Sequence, residues 1–464
     1  NALSGMRRVR CWWFWAGLSM AACRSADHLG PPRSDTASST DPLSGGASMT
    51  VQDQSSLAFG RPGPTLTPSQ LAMHNAGEVG FEASFVPGTG TVNSGLGPRF
   101  DNVECSACHL NEGRGVPTGA GQTASMLFRS SVAGSDAHGG PAPAPGFGTQ
   151  IQLQAVPGLQ PKAVMTVTYT DSVDFFADGT PDTLHVPHYA LSAPYVPLPA
   201  GIRLSPRRTP PVFGVGLLEA VPADTIEALA AAQQVDGGPV GHANYGWDPT
   251  VGAAVLGRFG LKANVGSVLE QTAAAYNADM GVTSSVFPVE NCDDPVPGCA
   301  AHPAEATDSL LAAVTAYVRT LAVPARRNVS ATDVLRGQTL FTQVGCASCH
   351  VATLHTGTVT SDPELSGQRI HPYTDLLLHD MGPGLADGRP DYLATGTEWR
   401  TTPLWGIGLT TIVNGHTNYL HDGRARSLLE AIMWHDGQAA AARGLVRQMS
   451  QSDRNALIAF LMSL

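Results

Sequence analysis

The chain has 464 residues, 42% of them hydrophobic and 14% charged, which excludes a wholly disordered polypeptide and leaves room for a large core. Its 51 glycines and 35 prolines favour many loops and few long helices. The net charge of −11 excludes the basic footprint of a nucleic-acid binder, and no apolar run reaches the roughly 18 residues of a membrane span.

Met6 is followed by Arg7, Arg8 and Arg10, then by the apolar run from Cys11 to Ala22. Residues 1–22 therefore read as a signal peptide. The run closes on Met20-Ala21-Ala22-Cys23, which resembles a bacterial lipoprotein signal with Cys23 as the lipidated residue. The expected location is periplasmic or at the outer membrane, with membrane contact through the lipid alone. Residues 23–63 are rich in Ser, Pro, Gly, Thr and Asp and read as a disordered tether.

A first folded domain is expected over 64–325. After the polar start Thr67-Pro68-Ser69, Gly77 and Phe81 stand at i, i+4 on one helix face. Cys105-Ser106-Ala107-Cys108-His109 follows, and C-x-x-C-H is the attachment motif for c-type haem. The two thiols add across the haem vinyl groups and the histidine becomes the proximal iron ligand. About 100 residues after it carry strand signals: Ile151, Leu153 and Ala155 alternate, as do Met165, Val167 and Tyr169. These predict small antiparallel sheets beside or over the first haem. Cys292 and Cys299 form a C-x6-C pair, read as a disulfide in an exported chain. A helix over about 308–322, striped by Leu310, Val314, Tyr317, Val318 and Leu321, ends this half.

The second domain, 326–464, repeats the order. Thr332 or Asp333 caps a helix in which Gly337 and Phe341 again stand at i, i+4. Cys346-Ala347-Ser348-Cys349-His350 is the second attachment motif, and a helix over about 452–464 closes the chain. The predicted fold is mainly α: two cytochrome c-like haem domains with long loops and a small antiparallel β insertion in the first. Two covalent haems leave no free C-x-x-C for a thiol oxidoreductase.

Gly95-Leu96-Gly97-Pro98-Arg99-Phe100 before the first motif, Gly113-Arg114-Gly115 after it, Gly216 to Ala220, Asp279-Met280-Gly281, His379 to Gly382, Trp399 to Gly408, Asn414-Gly415-His416 and Leu420 to Ala425 resemble the bacterial di-haem oxidoreductases, a peroxidase-like family. More distantly, the chain is similar to di-haem cytochrome c peroxidase and MauG. The resemblance implies that the first haem reduces peroxide or another small oxidant, or with electrons running the opposite way oxidises a protein or organic substrate, while the second relays electrons. The donor would be a small electron-donor protein or a quinol-linked chain. In the relatives a methionine ligand lies fourteen residues beyond the histidine that matches His421, which here is His435; it is the expected distal ligand of the second haem, with Met433 and Met381 as alternatives. For the first haem neither Met126 nor His138 is compelling, so its sixth position is expected to be open.

A carboxylate must then move protons above that iron. The segment Val268 to Met280 resembles the relatives' acid/base segment, with Asp279 as first candidate and Glu219 as second. Leu261 falls where relatives carry a relay tryptophan, leaving Phe259, Trp405 or direct tunnelling between haems. Arg99, Arg114, Arg400 and Arg424 are candidates to pair haem propionates. The resemblance also implies calcium between the domains, though no ligand set stands out. The competing reading is an electron-transfer lipoprotein without chemistry of its own.

Overall fold

A computed structural model describes residues 41–116, 125–235, 237–290 and 303–464. The signal segment, Cys23 and the Cys292–Cys299 pair lie outside the described residues. No described helix is long and apolar enough to cross a membrane.

Helix α1 (Pro68–Phe81) starts on a reciprocal cap between Thr67 and Gln70. Helix α2 (Val268–Met280) starts on the Ser267 hydroxyl, and α3 (Asp308–Thr320) on that of Thr307. Helix α4 (Thr332–Gln343) begins after Ala331 without a side-chain cap. Short α5 (Leu428–Met433) and α6 (Ala440–Gln448) precede α7 (Gln451–Ser463). Two crossings repeat. In α1 against α3, a Cβ on Gly77 would lie 2.0 Å from the Ala313 carbonyl oxygen, and Phe81 meets Tyr317 with ring centroids 5.3 Å apart. In α4 against α7, a Cβ on Gly337 would lie 1.9 Å from the Ala456 oxygen, and Phe341 meets Phe460 at 5.1 Å. The small-then-aromatic spacing lets the helix backbones touch and turns each phenyl ring toward the motif histidine: Phe81 to His109 at 5.9 Å, Phe341 to His350 at 6.2 Å.

The fold is nevertheless not mainly α. Helices make up 30% of the described residues and strands 19%, in many small sheets. Long Gly- and Pro-rich connections run through the interior, and short ladders such as Leu378–Asp380 with Glu398–Arg400 pair backbone groups that burial would otherwise leave unsatisfied.

The segment 41–63 also departs from the tether reading. Thr50–Val51 (β1) pairs in parallel with Val323–Pro324, Met49 is fully buried, and Phe59 stacks on Phe213 at 4.2 Å. A few apolar residues suffice to dock a polar segment when each fills a core position.

Strand β2 (Met126–Ser131) pairs with Arg203–Arg208. Between them rises a hairpin of two 12-residue strands, β3 (Val164–Phe175) and β4 (Pro181–Ser192). The hairpin reaches the second half of the chain. Phe176, beyond its first strand, is buried with Phe341, Trp434 and Phe460. Arg454 lies over the Phe176 ring at 4.1 Å and pairs with Asp178 at 2.8 Å, while the His185 amide donates to Glu430 of α5 at 2.6 Å.

Candidate functional site

Each motif lines its own cavity. Cys105, Cys108 and His109 wall a cavity of about 670 Å³; Cys346, Cys349 and His350 wall one of about 310 Å³. Both fall in the range of small-molecule and cofactor sites. His109 Nδ1 is 2.8 Å from the Pro210 carbonyl and His350 Nδ1 is 2.9 Å from that of Tyr373. Donation from Nδ1 leaves the Nε2 lone pair for a metal. Burial lowers both imidazoles to about 4, the neutral, ligating form. Burial pushes the Cys105, Cys108 and Cys346 thiols up to about 12, the opposite of a reactive thiolate.

Arg114, Arg208 and Arg400 lie on the wall common to both cavities. Arg208 bonds to the carbonyls of Gly115 and Asn418 and to the His416 ring; Arg400 bonds to the carbonyls of Gly260 and Thr401. Among the described residues no carboxylate hydrogen-bonds to any of the three. Burial lowers Arg208 to about 8, helped by Arg114, and Arg400 to about 10. Buried cations without counter-charges are costly. Haem propionates on this wall would supply the missing anions, so the residues fit the group. Of the other two arginines named from sequence, Arg424 is bound to buried Asp422 at 2.8 Å and Arg99 donates to the Gln160 carbonyl at 2.9 Å; neither lines either of these two cavities. Arg208 was missed because Arg207-Arg208 carries no spacing signal.

In the second cavity, His435 Nδ1 is 2.7 Å from the Ala431 carbonyl, which again leaves Nε2 unengaged. His379 has both ring nitrogens engaged, by Asp375 at 2.9 Å and Gln438 at 2.8 Å, and His421 lies flat on Trp399 at 3.8 Å. Met381 lines this cavity; Met433 is fully buried and does not. Cys349, Asp375 and His379 form the one cluster of three metal-ligating side chains among the described residues, and it is not the oxygen shell that calcium takes.

In the first cavity, Met126 is packed with Phe128 and Phe147 away from the wall, and His138 stacks on Trp247 at 4.0 Å. Asp279, at the end of α2, lines it. Gln150 Nε2 joins Asp279 (2.8 Å) to buried Asp101 (2.5 Å). Burial raises Asp279, and burial with the charge of Asp279 raises Asp101 to about 8. Glu270, also on this wall and raised to about 7 by burial, was missed. Its sequence signal, Ser267 three residues before, reads only as a helix cap. Glu219 does not line the cavity; its carboxylate takes Arg319 at 2.5 Å and the Val268 amide at 2.8 Å. Leu261 lines both cavities, whereas Phe259 and Trp405 line the first alone.

Asp101 carries a pH prediction. Its folded pKa is raised, so its contribution to stability is full below about 4 and is lost as pH rises through about 8. Asp101→Asn is expected to flatten the decline in melting temperature across that window; an unchanged decline would assign it to other groups.

A search of curated proteins finds no match. Among solved structures, a hydrazine synthase from Kuenenia stuttgartiensis, pressurised with xenon, is similar at 20% identity with a TM-score of 0.23, covering 36% of this chain and 59% of that one. A likeness that low carries no argument about this fold. The sequence model of the family described as "Di-haem oxidoreductase, putative peroxidase" matches residues 39–162 and 198–464, leaving out a stretch that contains the whole β3–β4 hairpin. With so much of its length matched, the chain belongs to this family of di-haem oxidoreductases, and haem is its cofactor.

Proposed function

We propose that this chain is an exported, lipid-anchored, c-type di-haem enzyme that reduces peroxide, or another small oxidant, at the haem of the first cavity. Electrons would enter through the haem of the second, from a small donor protein or a quinol-linked chain. One haem-bearing half would span 64–325 and the other 326–464. Cys105 and Cys108, and Cys346 and Cys349, would hold the haems covalently, with His109 and His350 as proximal ligands.

The observation that carries this reading is the asymmetry of the two cavities. The second offers an oriented imidazole, His435, for a closed electron-transfer site. The first offers buried carboxyls instead, Asp279 with Asp101 behind Gln150, and Glu270. The bound haem supplies the electrons and the iron that binds the oxidant. Asp279, its carboxyl held by Gln150, would accept a proton from the oxidant and give one back. Arg114, Arg208 and Arg400 would anchor propionates on the common wall. With Leu261 in that wall, no aromatic relay is supported, and transfer would run directly between the haems.

Low-temperature EPR of the oxidised protein tests this. The expected result is one high-spin and one low-spin ferric signal in equal amounts. His435→Ala is expected to convert the low-spin haem to high-spin, with added imidazole restoring it. Two low-spin signals that persist after one-electron reduction, with no cyanide binding, would favour the electron carrier instead.

A further inference from the structure

Two cavities that each take one haem should be similar in size. Here the first has more than twice the volume of the second, about 670 against 310 Å³, and its surplus alone exceeds the whole second cavity. Peroxide does not need that space.

The wall of the first cavity beyond the motif has a defined chemistry. Trp247 and His138 stack face to face at 4.0 Å, with planes 16° apart. Tyr392 lines the same cavity. Three arginines, Arg129, Arg207 and Arg389, line this cavity and not the other. Asp391 serves two of them, at 2.9 Å from Arg207 and 2.8 Å from Arg389. The Arg129 guanidinium makes no hydrogen bond among the described residues. Of the carboxyls whose charge reaches it, Asp391 is already held by Arg207 and Arg389, and burial raises Asp279 and Asp101.

A haem propionate is a weak explanation for Arg129. The propionates leave the porphyrin on the edge away from the thioethers. Arg129 lies in the field of Asp279, which also acts on Cys105 and Cys108 at the thioether edge.

We propose that the first cavity holds, beside the haem, a planar organic anion: an aromatic carboxylate whose ring packs on the Trp247–His138 wall and whose carboxylate pairs with Arg129. A guanidinium recognises a carboxylate through two parallel hydrogen bonds, and the aromatic wall favours a ring over an alkyl chain. This rests on the reading of the first haem as the open one, and it adds a ligand class to that site beside the small oxidant.

The test uses the oxidised holoprotein. Calorimetry compares benzoate, benzamide and acetate, while cyanide, followed by the Soret band, separately reports an open iron. The expected result is benzoate binding at least tenfold tighter than either benzamide or acetate. Arg129→Gln should remove that preference over benzamide, Arg129→Lys should keep part of it, and Trp247→Ala should weaken benzoate and benzamide together. Cyanide binding with equal or absent affinity for benzoate and benzamide would overturn this inference and leave the open haem standing. A failure of cyanide to bind would count against the open haem instead. An Arg129→Gln protein with altered haem potential but unchanged benzoate affinity would assign the arginine to the haem and also overturn the inference.

Discussion

Asp279→Asn is expected to lower peroxide reduction by about 10²–10⁴-fold, the usual contribution of a positioned general acid–base. Haem content and cyanide affinity should stay as in the parent protein. The amide keeps the size of the side chain and an oxygen for Gln150, which bonds Asp279 at 2.8 Å, so the loss would fall on proton transfer alone. The comparison variant is Glu219→Gln. Its carboxylate is engaged by Arg319 and the start of α2, so this change should lower the melting temperature and leave turnover near that of the parent. Steady-state peroxide turnover with an artificial donor reads both. If Asp279→Asn turns over normally, the proton group is elsewhere, and Glu270 on the same wall is the next to replace.

Gly337→Ala is the second large effect, and it acts on stability. The new Cβ would sit 1.9 Å from the Ala456 oxygen and 2.7 Å from the Phe460 Cβ. The obstacle is backbone, which cannot rotate away, so α4 and α7 must separate. Overpacking of this kind costs about 1–3 kcal/mol and sometimes more. Separation also moves Phe460 and with it Phe341, which packs beside His350, so the haem spectrum of the second cavity should change with stability. Gly77→Ala should do the same to the first haem, since its Cβ would meet the Ala313 oxygen at 2.0 Å. Gly444, in α6, is the control: nothing lies within 4 Å of its Cβ, so alanine there should stabilise by up to about 1 kcal/mol through helix propensity. Thermal unfolding followed at the Soret band and in the far ultraviolet separates local from global loss. Equal melting curves for Gly337→Ala and Gly444→Ala would refute the close crossing.

The haem cofactor was legible because the C-x-x-C-H signal is contained in five consecutive residues, Cys105 to His109 and Cys346 to His350. The two helix crossings were legible for a related reason. Gly77 with Phe81, and Gly337 with Phe341, stand one helical turn apart, and a turn is a local geometry. The helices 308–322 and 452–464 agree with α3 and α7 to within two residues, because their stripes and caps are likewise local. The strand content was underestimated, since two- and three-residue ladders have too little length to show alternation. The segment 41–63 looked unstructured because its composition is polar, yet Met49, Ala58 and Phe59 anchor it in the core.

What the sequence by itself determined is therefore the pair of C-x-x-C-H motifs and the periodic faces that cross. The tertiary structure alone decided which distant residues share a wall. Arg114, Arg208 and Arg400 meet on one surface from three parts of the chain, and Leu261 joins them. Asp279 and Glu219, the first and second candidates in the sequence, part company: Glu219 is bound to Arg319, and Asp279 faces the first cavity. The physical reason is range. A motif or a helical turn is specified by neighbours along the chain, whereas the burial and charge of a cavity wall are set by residues up to hundreds of positions apart.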